Sequence, residues 1–325
     1  MNDILLSARN LTKQYPAPGN HFRERLSERR AVDDVSLDIL RGEVLGLVGE
    51  SGCGKSTLGR MLVKLLPPTN GNIIYDGADM TCGGFTKELR RKVQIVFQDP
   101  YGSLNPWMTV YRLVAEPILA HGLCPKSGAM ERVTSLLDKV GLSQISLRRY
   151  PHQLSGGQRQ RLCIARALSV SPEFLVCDEP VSALDVSVQS QILNLLIDLQ
   201  HDMGLTYLFI SHSLAVIRNI ADRVVVMYLG KIVEISPADD FFLSPAHPYS
   251  RALLDAAPIP GIGLDKHDAS AVTGEATLSG APSCGCDYYP RCPRREDICA
   301  QVKPELKSTG GGRSAACHLF EDSKI

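Results

Sequence analysis

Short apolar runs alternate along the chain with stretches whose apolar residues recur at helical spacing. Residues 44–48, 93–97, 174–177, 207–210 and 224–227 are almost continuously apolar, the pattern of strands covered on both faces. Residues 58–66 read as a helix stopped by Pro67 and Pro68. Residues 187–202 place Ile192, Leu195, Leu196 and Leu199 on one helical face and end near Gly204. This alternation predicts an α/β domain with a largely parallel sheet. From about residue 100 to 170 the strand pattern vanishes and helical segments dominate, so a helical subdomain is expected inside the α/β core. Residues 16–30 are rich in Arg, Pro and Gly and read as an exposed loop. After Pro237 the periodicity degrades while Pro, Gly, Ser and Cys rise, which divides the chain into a domain at 1–237 and a C-terminal extension at 238–325. There is no internal repeat and no low-complexity tract.

Charge and composition narrow the function classes. The 325 residues carry 35 Lys and Arg against 35 Asp and Glu. Zero net charge argues against a bulk nucleic-acid binder. The longest apolar stretches fall far short of the roughly 20 residues a membrane-spanning helix needs. The residues after Met1 lack the basic and apolar regions of a signal peptide. Of ten cysteines, five lie in the last 42 residues: Cys284, Cys286, Cys292, Cys299 and Cys317. Cys53, Cys82, Cys124, Cys163 and Cys177 are scattered and read as packing residues.

Candidate chemistry starts at Gly49-Glu50-Ser51-Gly52-Cys53-Gly54-Lys55-Ser56-Thr57, which fits G-x-x-x-x-G-K-[ST] between a strand and a helix. Glycines at 49, 52 and 54 let backbone N–H groups wrap phosphates, and the helix N-terminus adds positive potential. Lys55 is placed to reach the β and γ phosphates, and Ser56 to put its hydroxyl on Mg²⁺. Downstream, the apolar run at 174–177 ends in Asp178 and Glu179. Carboxylates at the C-terminal end of a parallel strand sit where open α/β sheets bind ligands. Asp178 is thus a Mg²⁺-side carboxylate, and Glu179 is placed to polarise an attacking water. Leu154-Ser155-Gly156-Gly157-Gln158 precedes a helix at 159–168, with Ser155 able to cap it and the two glycines leaving the backbone open to a phosphate.

With these residues in hand the sequence resembles the ATP-binding cassette ATPases. The motifs follow the family's order. They are the Walker A loop at 49–57, Gln98 of the glutamine loop, the signature at 154–158, the Walker B strand at 174–179, the D-loop with Asp185, and the switch histidine His212. The resemblance covers roughly residues 4–235. It implies that Tyr15 stacks on adenine, although a strand-end surface aromatic has the same look. It also implies that Gln98 senses Mg²⁺ and the attacking water, and that His212 bonds the γ phosphate. Ser213 stands where members often carry Asp, which removes a local negative charge. The family's architecture implies that Ser51, Ser155, Gly156, Gly157, Gln158 and Asp185 join the nucleotide site, the signature facing the phosphate loop of a second subunit. ATP and Mg²⁺ are the implied cofactors.

Three longer strings look like the ATPase subunits of the bacterial peptide/nickel import branch. They are residues 97–106 after the glutamine loop, residues 178–187 across the acidic pair, and His247-Pro248-Tyr249 at the start of the extension. That resemblance implies a homologous ATPase partner, commonly a heterodimer. It also implies two transmembrane permeases, an extracytoplasmic solute-binding protein, and a peripheral place on the cytoplasmic face of the membrane. Peptide is the implied substrate class. Nickel chelates, opines, glutathione or sugar oligomers stand as alternatives, and a non-transport cassette, an exporter subunit or a redox-sensing regulator as competing functions. Four thiolates at Cys286, Cys292, Cys299 and Cys317 suit a [4Fe–4S] cluster or a Cys₄ zinc site, with unliganded thiols as a third reading. Their spacing lacks the C-x₂-C pairs of zinc ribbons, and the branch resemblance favours iron–sulfur. His318 reads as a neighbour of that set.

Overall fold

The computed structural model describes residues 3–16, 29–81, 86–143, 145, 147–257 and 284–320. In chain order the first strands are β1 (Ile4–Tyr15), β2 (Arg29–Leu40) and β3 (Val44–Val48), followed by α1 (Lys55–Leu62), β4 (Asn70–Tyr75) and β5 (Ala78–Asp79). Next come α2 (Lys87–Lys92), β6 (Val93–Val96), α3 (Pro100–Ser103), α4 (Val110–Ala120), α5 (Ala129–Lys139) and α6 (Gly156–Leu168). Then follow β7 (Phe174–Asp178), α7 (Val186–Met203), β8 (Thr206–Ile210), α8 (Leu214–Ile220), β9 (Arg223–Tyr228) and β10 (Lys231–Pro237). The chain closes with α9 (Ala238–Leu243), α10 (Pro248–Ala256), α11 (Asp297–Gln301), β11 (Lys307–Gly310) and β12 (Arg313–Ala315).

The chain divides into two compact units, Met1–Cys82 with Ile210–Ile325, and Gly83–Phe209. The first unit holds an antiparallel sheet in the order β2-β1-β4-β5, and a second set of strands in the order β11-β12-β10-β9-β3. β3 and β9 are parallel, with Leu45 opposite Arg223 and Val48 opposite Val226. All five residues of β3 are buried, as its unbroken apolar run requires. β10 turns back antiparallel to β9, and the terminal hairpin β11–β12 adds to β10 through Glu234–Ala315 and Ile235–Ser314.

The antiparallel sheet has a different look from the expected parallel one, and its sequence explains why it is hard to see. β1 and β2 are each interrupted by register shifts. Asn10 at φ 50° and Asp34 at φ 56° take the left-handed region, where short polar side chains that bond locally are tolerated. They face each other through an Asn10 Nδ2 to Asp34 Oδ1 bond of 2.9 Å. A one-residue slip inverts the in/out alternation, so the period of two breaks midway through both strands. β2 also begins at Arg29, so the end of the expected loop at 16–30 is strand. Residues 17–28 of that loop lie outside the described residues. The helix expected at 58–66 starts earlier, at Lys55, and stops at Leu62, with Lys64 at φ 55° ending it before the prolines.

In the second unit β6 and β7 are parallel, Val93 opposite Phe174 and Val96 opposite Cys177, with β8 beside β7. The described residues between β6 and β7 form helices and turns and no strand. α4, α5 and α6 pack together there, burying Leu113, Val114, Ile118, Val133, Leu137, Leu162 and Ile164. α7 ends on Gly204 at φ 61°, a left-handed C-terminal glycine. Among the described residues no helix is long and apolar enough to cross a membrane.

Candidate functional site

β3 runs straight into the phosphate loop. Gly49 has φ 152°, and a Cβ there would lie 2.2 Å from the Met227 carbonyl oxygen on β9. Gly54 has φ 108°, and its Cβ would lie 2.0 Å from the Ala31 carbonyl oxygen on β2. Neither position admits a side chain, so the loop is pressed between two strands and its path is fixed by backbone alone. Gly54 is the N-cap of α1, with no side-chain cap and no acid in the first turn. The helix start therefore turns its dipole toward an incoming anion with no capping side chain and no acid in the way. Lys55 is 5% exposed, and its ammonium is bonded to the carbonyls of Gly49 (2.7 Å) and Glu50 (2.8 Å). Ser56 and Thr57 follow, half-buried, in the first turn.

Glu50 is fixed on every side. Its N–H donates to the Tyr249 hydroxyl at 2.9 Å. Its carboxylate takes a two-pronged bond from Arg291, Nη2 to Oε1 at 2.9 Å and Nη1 to Oε2 at 3.1 Å. Hydrogen bonding to Glu50 holds the Arg291 pKa above the ordinary guanidinium value. Tyr228, Tyr249 and Tyr288 pack edge and tilt to one another at 4.6–5.4 Å. The Arg291 guanidinium lies 6.0 Å from the Tyr228 ring centre and 5.9 Å from that of Tyr288. α10, which carries Tyr249, starts with His247 accepting the Tyr249 N–H on Nδ1 at 3.0 Å. Burial pushes the His247 pKa down to about 4, so the ring is neutral and free to accept. The fully buried Glu234 carboxylate accepts from the Ala246 and His247 N–H groups at 2.9 and 2.8 Å.

His212 lies exposed between β8 and α8. The adjoining Ser211 N–H donates to the Leu47 carbonyl of β3 at 3.2 Å, so the peptide before His212 is tied to the strand that feeds the phosphate loop. Tyr15 ends β1, 39% exposed, with the Lys13 ammonium 5.6 Å from its ring centre.

In the second unit Asp178 closes β7 and is 2% exposed. Glu179 follows at φ 49°, a left-handed non-glycine turn. Strained backbone of this kind collects at functional sites. The Gln98 amide donates to Glu179 Oε2 at 3.1 Å, so the glutamine after β6 and the acid after β7 meet. Ser155 caps α6 by accepting the Gln158 N–H at 3.3 Å, and Gln158 Oε1 accepts the Ser155 N–H at 3.1 Å. A Cβ on Gly157 would lie 2.6 Å from Val188 Cγ1 of α7, and one on Gly156 would lie 3.4 Å from Leu184. The signature glycines are thus set by packing against the D-loop and α7, a reason beyond the phosphate approach expected from sequence. Asp185 is the exposed N-cap position of α7.

Cys286, Cys292 and Cys317 each have a thiol pushed up by burial and then by neighbouring thiols. Cys286 feels Cys299 and Cys317, Cys292 feels Cys286 and Cys299, and Cys317 feels Cys292 and Cys299. All four therefore share one neighbourhood, and the Cys286 N–H donates to the Cys299 carbonyl at 2.8 Å. Among the described residues no three His, Cys, Asp or Glu side chains converge on a position that could hold a metal ion. His318 Nε2 is 3.0 Å from the Val302 carbonyl oxygen. Cys53, Cys163 and Cys177 are buried and Cys124 half-buried, whereas Cys82 lies outside the described residues.

Comparison with known proteins decides the family. The chain is 48% identical over 322 residues to a probable peptide ABC transporter ATP-binding protein of Sinorhizobium fredii, covering 98% of this chain and 91% of that protein. It is 43% identical to the oligopeptide transport ATP-binding protein of Bacillus subtilis, covering 98% of each. This chain belongs to the ABC transporter ATPases. The family model for ABC transporters matches residues 32–182 of the cassette, and the model for the oligopeptide/dipeptide transporter C-terminal region matches 233–299. Among solved structures the cassette resembles a dimeric ATP-binding cassette in a post-hydrolysis state bound to ADP and Pi. The TM-score is 0.63 at 30% identity, covering 72% of this chain and 99% of that one. What sequence reading missed in the cassette is the support of the phosphate loop by Glu50, Tyr249 and Arg291. The one local signal was a lone acid inside a loop built for anions.

Proposed function

We propose that this chain binds and hydrolyses ATP to drive import of di- or oligopeptides through partner permeases. What carries the reading is a whole-chain likeness, at 43–48% identity, to ATP-binding proteins named for peptide transport. In this reading residues 1–237 are the cassette, with a helical subdomain at about 100–170, and 238–325 the transporter-type extension. The phosphates lie on the N–H groups of the loop at Gly49, Ser51, Gly52 and Gly54, with Lys55 neutralising the β and γ phosphates. Tyr15 stacks on the adenine. Ser56, Asp178 and Gln98 are hard oxygen donors of the kind Mg²⁺ prefers, and the ion supplies charge neutralisation on the phosphate oxygens. Glu179 accepts a proton from the attacking water, Gln98 orients that water, and His212 bonds the γ phosphate. Ser155, Gly156, Gly157, Gln158 and Asp185 act on nucleotide held by the second ATPase subunit. ATP then favours the closed pair, and hydrolysis removes that preference. The partners are a homologous ATPase, two permeases and an extracytoplasmic solute-binding protein, with this subunit on the cytoplasmic face.

We further propose, on the resemblance to the peptide/nickel import branch, that the four cysteines take a [4Fe–4S] cluster. Cys286, Cys292, Cys299 and Cys317 would hold it, and it would cross-link a segment with little core of its own. The spacing of the four, without the C-x₂-C pairs of zinc ribbons, favours it over zinc. Iron and acid-labile sulfide in anaerobically purified chain are the expected assay result; zinc without iron contradicts it. For the function, the assembled complex in liposomes should hydrolyse ATP several-fold faster with peptide-loaded binding protein. Stimulation by a non-peptide solute, with none by peptides, overturns the substrate class.

A further inference from the structure

The residues between Cys286 and Cys292 do more than link two cysteines. Asp287 takes an ion pair from Lys231 of β10 at 2.5 Å, and Lys231 also reaches Asp33 of β2 at 3.3 Å. Tyr288 is 1% exposed and packs on Tyr228 and Tyr249. Arg291 forks onto Glu50 inside the phosphate loop, the two side chains being 17% and 18% exposed. Three inner residues of this short segment are therefore pinned against the loop or the strands beneath it.

We propose that this segment is a strut for the phosphate loop, with Arg291 a positioning residue that sets ATP affinity through Glu50. Glu50 is the second residue of the loop. Its carbonyl holds the Lys55 ammonium, and its N–H is taken by Tyr249 rather than left for a phosphate. Its carboxylate is a negative charge in a loop that must accept a triphosphate. Paired with Arg291, that charge is neutralised and turned to one side. Unpaired, it is partly buried beside the anion site, the costly arrangement for both folding and binding. Removing Arg291 thus leaves an uncompensated carboxylate at the loop and frees the peptide that steadies Lys55. The strut acts on the loop that carries Lys55, so its effect falls on nucleotide affinity.

The proposal rests on the loop at 49–57 being the ATP site, so Lys55→Ala is measured beside the strut variants. Equilibrium binding of ATP to the full-length chain is the readout, with thermal unfolding as the control for folding. Arg291→Ala should weaken ATP about tenfold, with KM rising in step and kcat within about twofold in the assembled ATPase. Arg291→Lys should recover part of the loss. Glu50→Gln in the Arg291→Ala background should bind ATP more tightly than Arg291→Ala alone, because the uncompensated carboxylate is gone. If Arg291→Ala does not fold, Arg291→Lys against Arg291→Lys with Glu50→Gln carries the same comparison. Unchanged ATP affinity in Arg291→Ala, or a double variant no tighter than the single one, overturns the strut. Lys55→Ala should abolish binding; if it does not, the site assignment falls and not merely the strut.

Discussion

Two helices of this chain begin at glycine-rich turns, and they are finished in opposite ways. α1 starts on Gly54 at φ 108°, with no side-chain cap, in a loop wedged between the Met227 and Ala31 carbonyls. α6 starts on Ser155, and Ser155 and Gln158 cap each other's backbone N–H groups. The first helix start is rigid and carries no side-chain cap. The second is closed by its own side chains. One chain thus carries a half-site ready to hold phosphate and a half-site already satisfied until something competes for Ser155. That asymmetry fits the proposed sharing of nucleotide between two subunits.

The sharpest way to break the contrast is to put a side chain into the open start. Gly54→Ala meets a backbone oxygen at 2.0 Å and a left-handed φ at once. It should cost about 4 kcal/mol or more by thermal or denaturant unfolding and abolish ATP binding. A cost under about 1 kcal/mol would show that the loop is not wedged.

The support behind α1 depends on a neutral His247. Its pKa of about 4 lies below the ordinary 6.5, so the unfolded chain takes up the proton first. The stabilisation is fully present above pH 6.5 and is lost as pH falls from there to about 4. The span corresponds to about 3 kcal/mol. Denaturation midpoints measured across that window should fall in the native chain and stay flatter in His247→Asn. Equal slopes in the two chains would remove His247 from the account.

On the α6 side, Gly157→Ala should cost about 1–2 kcal/mol through Val188, and adding Val188→Ala should return most of it. A double variant as unstable as the single one would mean the glycine answers to something other than α7. Smallest of all, Ser155→Ala should cost about 1 kcal/mol as a lost cap. In it, ATP affinity of the single chain should hold while turnover of the assembled pair falls. Loss of ATP affinity in the single chain would erase the division between the two half-sites.

The phosphate loop, the acidic strand end and the signature are legible in the sequence because each is a local string whose spacing carries its chemistry. Gln98 and Glu179 lie 81 residues apart and meet at 3.1 Å, a pairing that only the family's order of motifs foreshadows. The strands β1 and β2 hide because the bulge at Asn10 and Asp34 breaks their alternation. The Glu50–Arg291 fork spans 241 positions, and no periodicity or motif joins residues so distant. The cysteines were visible as a set, but their role depends on what they bind, which spacing alone leaves between iron–sulfur and zinc.

The central claim is that Glu179 carries hydrolysis of ATP held at the phosphate loop. Its most direct test is ATP binding and steady-state turnover of the assembled ATPase carrying Glu179→Gln. Binding should stay within about threefold of the native value, while turnover falls at least about a hundredfold. Turnover within a few-fold of native would contradict the account.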